Sequence, residues 1–147
     1  MREAAGSFVG THRMEAFARL EAGRNPERTV LALEVGVDGG LWRFTVRGQS
    51  FLWGQVRRMV SALLAVGAGE AQAGDIAQSL QTGRPHARFG VVPAEGLLLE
   101  RVHYDGLQWD EEAGTVDGRR LMPELVLSRV RLDVARHVAQ IGGKGEG

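Results

Sequence analysis

Two consecutive arginines, Arg57 and Arg58, stand inside a strongly apolar stretch of the sequence. The apolar residues around them recur at helical spacing, which predicts a helix with one buried face; they are Leu52, Val56, Met59, Val60 and Leu63. Arg57 follows Val56 and lies about 100° around the helix, at the edge of that face. There its guanidinium can reach a cleft and bind a carboxylate or phosphate, or it can simply extend into solvent.

The charge of the chain is unevenly distributed along its 147 residues. The total of 18 basic and 18 acidic residues gives zero net charge, which by itself argues against nucleic-acid binding. Residues 1–88, however, hold eleven arginines against eight acids, and residues 89–147 hold seven bases against ten acids. The first part is therefore the better candidate for binding an anionic ligand.

Several classes of site and location are disfavoured by composition. The absence of cysteine excludes disulfides and thiolate metal sites. The four histidines, at positions 12, 86, 103 and 137, lack short ligand spacing, so we predict no metal, although folding can still assemble a histidine and carboxylate site. No apolar run reaches the roughly 18 residues of a membrane span, and no hydrophobic signal core opens the chain. We therefore expect a cytoplasmic protein without a membrane segment.

The elements that lead into the arginine helix read as a β-hairpin. Residues Thr29–Val37 alternate as a strand, and Asp38-Gly39-Gly40 predicts a tight turn. A second strand, Leu41–Gln49, places Trp42, Phe44 and Val46 on one face. The arginine helix should begin at Ser50 or Phe51 and end at Val66, before the glycines at 67 and 69.

The remaining segments complete the predicted fold. Before the hairpin, a helix from His12 to Glu21 is predicted, capped by Thr11. After the arginine helix come a helix from Asp75 to Leu80 or Gln81, a loop over 82–92, a turn at 93–96 and a third strand, Leu97–Tyr104. The rest is a polar loop over 110–120, a helical pattern from Leu127 to Ile141 whose first half can also be a strand, and a disordered tail over 142–147. The pattern predicts one α+β domain over 1–141. Its mixed, mainly antiparallel sheet should have helices packed on one face.

Four segments of the sequence, in order, resemble the C-terminal domain of the tRNA pseudouridine synthase A family. They are Phe8-Val9-Gly10-Thr11-His12, Arg28-Thr29-Val30, the stretch from Phe51 through Val56-Arg57-Arg58-Met59-Val60 to Gly69, and Pro93-Ala94-Glu95-Gly96-Leu97-Leu98-Leu99. The resemblance covers about residues 8 to 104. Each segment alone is weakly specific, whereas four in the same order are fairly specific.

The sequence departs from the family pattern at several points. Arg13 and Met14 stand where the family has aspartate and phenylalanine, and Gln55 stands where methionine is usual. The family's Gly-Arg-Thr-Asp motif, which supplies the catalytic aspartate, is not found in these 147 residues. In the family that motif belongs to an N-terminal domain, which we expect to be supplied in cis or as a separate chain.

The resemblance implies a function and two catalytic residues. Family members isomerise uridine to pseudouridine in the tRNA anticodon stem-loop, at tRNA positions 38 to 40, without a cofactor and as homodimers. It implies that Arg57 orients the absent aspartate, and that Leu97 packs beneath the target base, although Leu97 also fits a plain core position. Without the aspartate, we expect this chain alone to be inactive.

Further candidates for RNA binding follow from the same resemblance. The arginines Arg58, Arg24, Arg28 and Arg47 are candidates for phosphate contacts, with a solvated surface role as the alternative for each. His12 either approaches RNA or caps the predicted short helix. Trp53 either stacks on a base or packs in the core or over Arg57.

Two other functions remain open from the sequence. A noncatalytic RNA-binding or dimerisation module of the same fold would keep these residues without an aspartate domain. A generic α+β protein with an unrelated anionic ligand would use the arginines differently. Steeply salt-dependent binding of tRNA would argue against the second.

Overall fold

A computed structural model describes residues 1–38 and 40–103, which fall into two units, Met1–Pro93 and a second beginning at Ala94. The first unit contains helices α1 (Arg2–Gly6), α2 (Gln55–Ala68) and α3 (Ala73–Thr82), strands β1 (Gly10–Arg13), β2 (Glu27–Asp38) and β3 (Leu41–Gly48), and a 3-10 turn (Glu15–Phe17). The predicted polar loop over 110–120, C-terminal helix and disordered tail lie outside the described residues. The single-domain boundary at 141 accordingly stays a prediction.

The predicted hairpin is confirmed as the antiparallel pair β2 and β3. Asp38 pairs with Leu41, so two residues connect the strands, and the second of them, Gly40, has φ +80°, which glycine adopts without steric cost. The residues predicted to share a face of β3 lie opposite apolar residues of β2, in the pairs Trp42 with Val37, Phe44 with Val35 and Val46 with Leu33. The alternating pattern therefore predicted the two strands and their turn correctly.

The helix predicted from His12 to Glu21 is wrong. Residues Gly10–Arg13 form β1, which pairs antiparallel with the start of β2 and completes a sheet of order β1-β2-β3. Thr11 does not cap a helix, because its Oγ1 lies 2.9 Å from Thr29 Oγ1 across the strands. Pairing with β2 satisfies this backbone, and only the short 3-10 turn follows. The turn still buries Met14 and Phe17, the apolar residues that suggested a helix.

The arginine helix begins later than predicted. Residues 51–54 are not helical, because Gly54 is the left-handed N-cap of α2 at φ +69° and Trp53 forms an isolated antiparallel bridge with Arg19. The predicted end is close, since α2 closes at left-handed Gly69, whose φ is +77°. Leu52 therefore reaches the core from an extended segment rather than from the helix.

Helix α3 begins two residues before the predicted cap. Asp75 is not the N-cap, because its Oδ2 accepts the backbone N–H of Gln72 at 2.8 Å and so satisfies an exposed donor before the helix. Ile76 and Leu80 face inward as predicted. The predicted loop after α3 is confirmed over residues 83–92.

One face of the sheet and the helices enclose the core, which confirms the α+β class. On β2, Val30 and Leu33 are buried, whereas Leu31 on the other face is exposed. The rings of Phe8 and Phe17 meet edge to face, with centroids 4.9 Å apart. The other large buried side chains are Met14, Met59, Leu63 and Ile76. All strand pairs in the described part are antiparallel, so the sheet there is not mixed.

The third strand predicted at Leu97–Tyr104 is wrong over residues 97–103, which form no strand; Tyr104 lies outside the described residues. The preceding turn is confirmed, because Leu97 N donates to Ala94 O at 2.9 Å. The apolar run that suggested a strand is exposed, with Leu97 53% and Leu99 78% accessible. Apolar residues alone do not make a strand, since the backbone also needs a partner for its hydrogen bonds.

Candidate functional site

The backbone that leads into the two arginines is fixed by a buried side chain. Gln55, the first residue of α2, is fully buried, and its Oε1 accepts the N–H of Leu52 at 2.9 Å. Its Nε2 lies 3.8 Å from the Sδ of Met59, one turn along the helix. Because a buried amide without partners is costly, this geometry holds the non-helical segment before Gly54 in one conformation.

Arg57 is partly buried and is held by a distant loop. Its Nε donates to the carbonyl oxygen of Val92 at 2.7 Å. Within the part of the chain that the structure describes, no carboxylate pairs with Arg57, and its two terminal amino groups have no protein acceptor. Two terminal N–H groups of a guanidinium match the two oxygens of a carboxylate or a phosphate. Arg57 is thus oriented by one hydrogen bond and still able to bind an anion.

Arg58 carries a donor that lacks an acceptor. Its Nε is buried and has no hydrogen-bond partner within the described part of the chain. The atom lies close to the start of α2, since a Cβ built on Gly54 would be 3.8 Å from it. An unsatisfied donor favours a nearby acceptor, and the dipole at a helix N-terminus favours an anion.

Trp53 is the most exposed aromatic side chain near the arginines, with 68% of its surface accessible. Its carbonyl oxygen accepts the N–H of Arg19 at 3.0 Å in the isolated bridge. The guanidinium carbon of Arg19 lies 5.7 Å from the centroid of the Trp53 ring, within cation–π distance. Trp53 therefore does not pack in the core, which removes one of the alternatives for it.

The electrostatic character of this region follows from its sequence. Between Leu41 and Gly69, which includes β3 and α2, there is no aspartate or glutamate; the basic residues are Arg43, Arg47, Arg57 and Arg58. By strand alternation, Arg43 and Arg47 lie on the face of β3 opposite Phe44 and Val46. Glu34 of β2 lies opposite Thr45, between Arg43 and Arg47, so the two arginines of α2 are the part of this stretch that best suits an anionic ligand.

The other predicted RNA-binding residues lie at the β1–β2 end of the sheet or on its surface. His12 and Arg28 are direct cross-strand partners, so the fold brings these two together. His12 caps no helix; its Nε2 lies 3.0 Å from Val9 O. Arg28 donates to Asn25 O at 3.0 Å and has a buried, unpartnered Nε, while exposed Arg24 lies 3.7 Å from Glu21. Exposed Arg47 lies on β3, separate in sequence from this group.

Leu97 belongs to the second unit, and each unit is described by itself. It ends the turn that begins at Ala94, and about half of its side chain is exposed. Its predicted contact with a base stays a prediction.

The ion pair of Arg13 and Glu15 occupies the position where the sequence departs from the family pattern. Arg13 Nε donates to Glu15 Oε1 at 2.8 Å, and this hydrogen bond lowers the pKa of Glu15 and raises that of Arg13. The second carboxylate oxygen, Glu15 Oε2, is buried without a partner and would lie 3.6 Å from a Cβ on Gly83. The pair links β1 to the 3-10 turn, so we regard it as structural.

Sequence reasoning missed three contributors to this site. Arg19 and Val92 are brought in by contacts with residues more than 30 positions away, for which no local pattern gives a signal. Gln55 did give a signal, since a polar residue interrupts an apolar pattern there. A buried polar residue next to two arginines is the kind of local inconsistency that often marks a site.

The described residues form neither a metal cluster nor a membrane-spanning helix. Within residues 1–38 and 40–103, no three histidine, aspartate or glutamate side chains gather to hold a metal ion. The helices of the same residues are too short and too polar to cross a bilayer.

Comparison with known proteins adds to this geometry. A family model described as tRNA pseudouridine synthase matches residues 4–105. The chain is 49% identical over 104 residues to tRNA pseudouridine synthase A of Methanoculleus marisnigri, covering 71% of this chain and 38% of that protein. It is 40% identical over 121 residues to tRNA pseudouridine synthase A of Thermococcus kodakarensis, covering 82% and 45%. The protein of the same name from Methanothrix thermoacetophila is 34% identical over 143 residues, covering 97% and 49%. The chain thus spans half or less of the length of these relatives.

Proposed function

The chain belongs to the tRNA pseudouridine synthase family, and we propose that it forms the C-terminal half of an enzyme that isomerises uridine in tRNA. The proposed targets are uridines of the anticodon stem-loop. The observation that carries the proposal is Arg57, whose Nε is fixed by Val92 while its terminal amino groups have no acceptor among the described residues. A carboxylate from outside these 147 residues would complete the pair.

The proposed role of Arg57 follows from the chemistry. Pseudouridine formation breaks the bond between N1 of the base and the ribose, turns the base, and forms a carbon–carbon bond to the ribose. The enzyme needs an ionised carboxylate in a pocket that shields a flipped-out uridine from water. A guanidinium beside that carboxylate favours its ionised form, and the bond to Val92 limits the orientations of the guanidinium.

The remaining candidates would hold the RNA. We propose that Leu97 packs beneath the target base, which its exposed apolar side chain permits. Phosphate contacts are proposed for Arg58, Arg47, Arg24 and Arg28, and His12 is proposed to approach the RNA. The support for these contacts is the absence of acidic residues from Leu41 to Gly69, a stretch that contains Arg47 and Arg58, together with the exposure of Arg24 and Arg47.

The proposed enzyme is a cytoplasmic homodimer that requires no cofactor. Its catalytic aspartate would come from a segment with the Gly-Arg-Thr-Asp motif, joined in cis or supplied as a separate chain.

Complementation tests the proposal. The chain would be fused behind the part of a relative that precedes the matched region, and pseudouridine would be measured in an unmodified tRNA transcript. We expect conversion by the fusion and none by the chain alone. Conversion by the purified chain would instead assign catalysis to a local aspartate. If the fusion folds and neither binds nor converts tRNA, the proposed function is wrong, whereas binding without conversion would favour a noncatalytic RNA-binding module.

A further inference from the structure

Trp53 is exposed on a rigid backbone rather than at the tip of a loop. Its carbonyl oxygen is bonded to Arg19 N at 3.0 Å, and the next residue but one, Gln55, is locked in the interior. With 68% of its surface accessible, the indole is not part of the hydrophobic core of the described residues. A large aromatic ring held open to solvent on a fixed backbone offers a surface for recognition, because packing among the described residues does not account for its position.

Arg19 places a cation against one face of the Trp53 ring. Its guanidinium carbon, 5.7 Å from the ring centroid, lies over one face of the indole. A ring covered on both faces could not retain two thirds of its accessible surface, so the opposite face is open. The cation also places positive charge beside the ring without blocking that face. An open aromatic face with a cation nearby suits a ligand that joins a flat, uncharged ring to an anionic group.

The charged residues near Trp53 indicate which class of ligand would bind there. Arg57 and Arg58 follow within five residues of Trp53, and no acid occurs from Leu41 to Gly69. An unpaired nucleotide combines an aromatic face with a phosphate, whereas a paired base keeps both faces inside a stack. We propose that Trp53 is a stacking platform for the base of an unpaired tRNA nucleotide, with Arg19 as the cation behind the ring. This inference rests on the proposed function, since it assumes that the chain binds tRNA.

Trp42 offers a matched comparison. It is exposed to a similar degree, 50%, but lies at the far end of the hairpin opposite Val37, an apolar cross-strand neighbour. Substituting it therefore removes an exposed indole without touching the arginine helix.

Fluorescence of Trp53 tests stacking directly. The third tryptophan of the chain, Trp109, lies outside the described residues. In a Trp42→Phe, Trp109→Phe variant, Trp53 is the only indole, and an unmodified tRNA transcript or a short oligouridylate should quench its emission. A fully paired RNA duplex should bind without comparable quenching. Equal quenching by the duplex would overturn the proposal, because its bases have no free face.

Affinity provides the second measurement. Trp53→Ala should weaken tRNA binding roughly tenfold and Trp53→Phe less, as expected for loss of one base stack. Trp42→Ala should leave the affinity unchanged, and circular dichroism checks that each variant folds.

Binding that persists in Trp53→Ala at the original affinity, with Trp53 unquenched in the single-indole variant, would overturn the stacking role and leave the proposed function intact. If the folded fusion with the preceding part of a relative binds neither tRNA nor oligouridylate, the proposed function and this inference fall together.

Discussion

Arg57 Nε donates a 2.7 Å hydrogen bond to the carbonyl oxygen of Val92, which ties the arginine helix to a loop 35 residues further along the chain. Val92 directly precedes Pro93, where the segment leading to Leu97 begins. The same bond leaves the two terminal amino groups of the guanidinium for an external anion. One contact thus orients a charged group and fixes the end of a loop.

The loop that carries Val92 is itself anchored at two other points. The backbone N–H of His86 donates to Ser79 Oγ at 2.9 Å, and Ser79 is fully buried in α3. The ring of Phe89 lies 5.6 Å from that of Phe17, between centroids, at the edge of the core. Val92 is therefore held in place by the core as well as by Arg57, which makes it a stable support for the guanidinium.

Substituting Arg57 should abolish catalysis without unfolding the protein. In the complemented enzyme, Arg57→Ala should lower kcat by about a hundredfold or more, the effect typical of losing one preorganised charge partner. Arg57→Lys should also be severely impaired, because lysine lacks the Nε donor and the paired amino groups. Pseudouridine formation under single-turnover conditions measures the effect.

A matched control for this prediction is Arg84→Ala, which removes an exposed arginine from the loop after α3. Its activity should stay within about twofold of the parent enzyme, as for ordinary surface substitutions. Near-normal turnover of a folded Arg57→Ala enzyme would refute the assigned role.

Arg58 should contribute to tRNA affinity through phosphate. Arg58 lies in the first turn of α2, within a stretch that has no acidic residue, so an RNA phosphate that reaches the start of the helix would pair with its guanidinium charge. We expect the logarithm of tRNA affinity to fall linearly with the logarithm of salt concentration, and Arg58→Ala to reduce that slope by about one. Titrations at several salt concentrations measure the slope, and Arg84→Ala again serves as the control. An unchanged slope in Arg58→Ala would exclude a phosphate contact.

Gln55 should be important for stability although it is polar. Gln55→Ala leaves the buried N–H of Leu52 without an acceptor, which should lower the free energy of unfolding by about 1–3 kcal/mol. Gln55→Met, the residue usual in the family, should lose less because it restores the buried volume. Gln78→Ala, at an exposed position of α3, should change stability by less than about 0.5 kcal/mol. Urea unfolding compares them, and equal effects of the two alanine substitutions would contradict this role.

The sequence predicted those elements whose signals are local. The β2–β3 hairpin was recognised because alternation specifies its strands and two glycines specify its turn. The strand β1 was missed because its stability comes from pairing with β2, which begins 14 residues after Arg13, and the apolar spacing of Met14 and Phe17 fits a helix as well as a 3-10 turn. The start of α2 was misplaced because the bridge from Trp53 to Arg19 overrides the helical pattern of residues 51–54.

The candidate site likewise has one part that the sequence predicted and another part that only the fold revealed. Arg57 became a candidate through its position at the edge of an apolar helix face, and its role was implied by the family resemblance of the surrounding segments. The orientation of Arg57 depends on Val92, and Trp53 is held by its backbone bridge to Arg19; each of these contacts joins residues more than 30 positions apart. Sequence patterns thus identified Arg57 as a candidate, and the folded chain showed what holds it.

The Arg13–Glu15 pair should make stability depend on pH in the acidic range. Arg13 lowers the pKa of Glu15 in the folded protein, so the carboxylate stabilises the fold above its unfolded pKa of about 4.3, and this contribution is lost as pH falls through the lower folded pKa. Glu15→Gln should therefore be less stable than the parent chain at neutral pH, with the difference shrinking below about pH 4. Urea unfolding at a series of pH values measures it. In an Arg13→Ala background the same substitution should have little pH-dependent effect, because the hydrogen bond that lowers the pKa is gone. A difference between parent and Glu15→Gln that stays constant from neutral pH to about pH 3 would show that the pair does not contribute to stability through its charge.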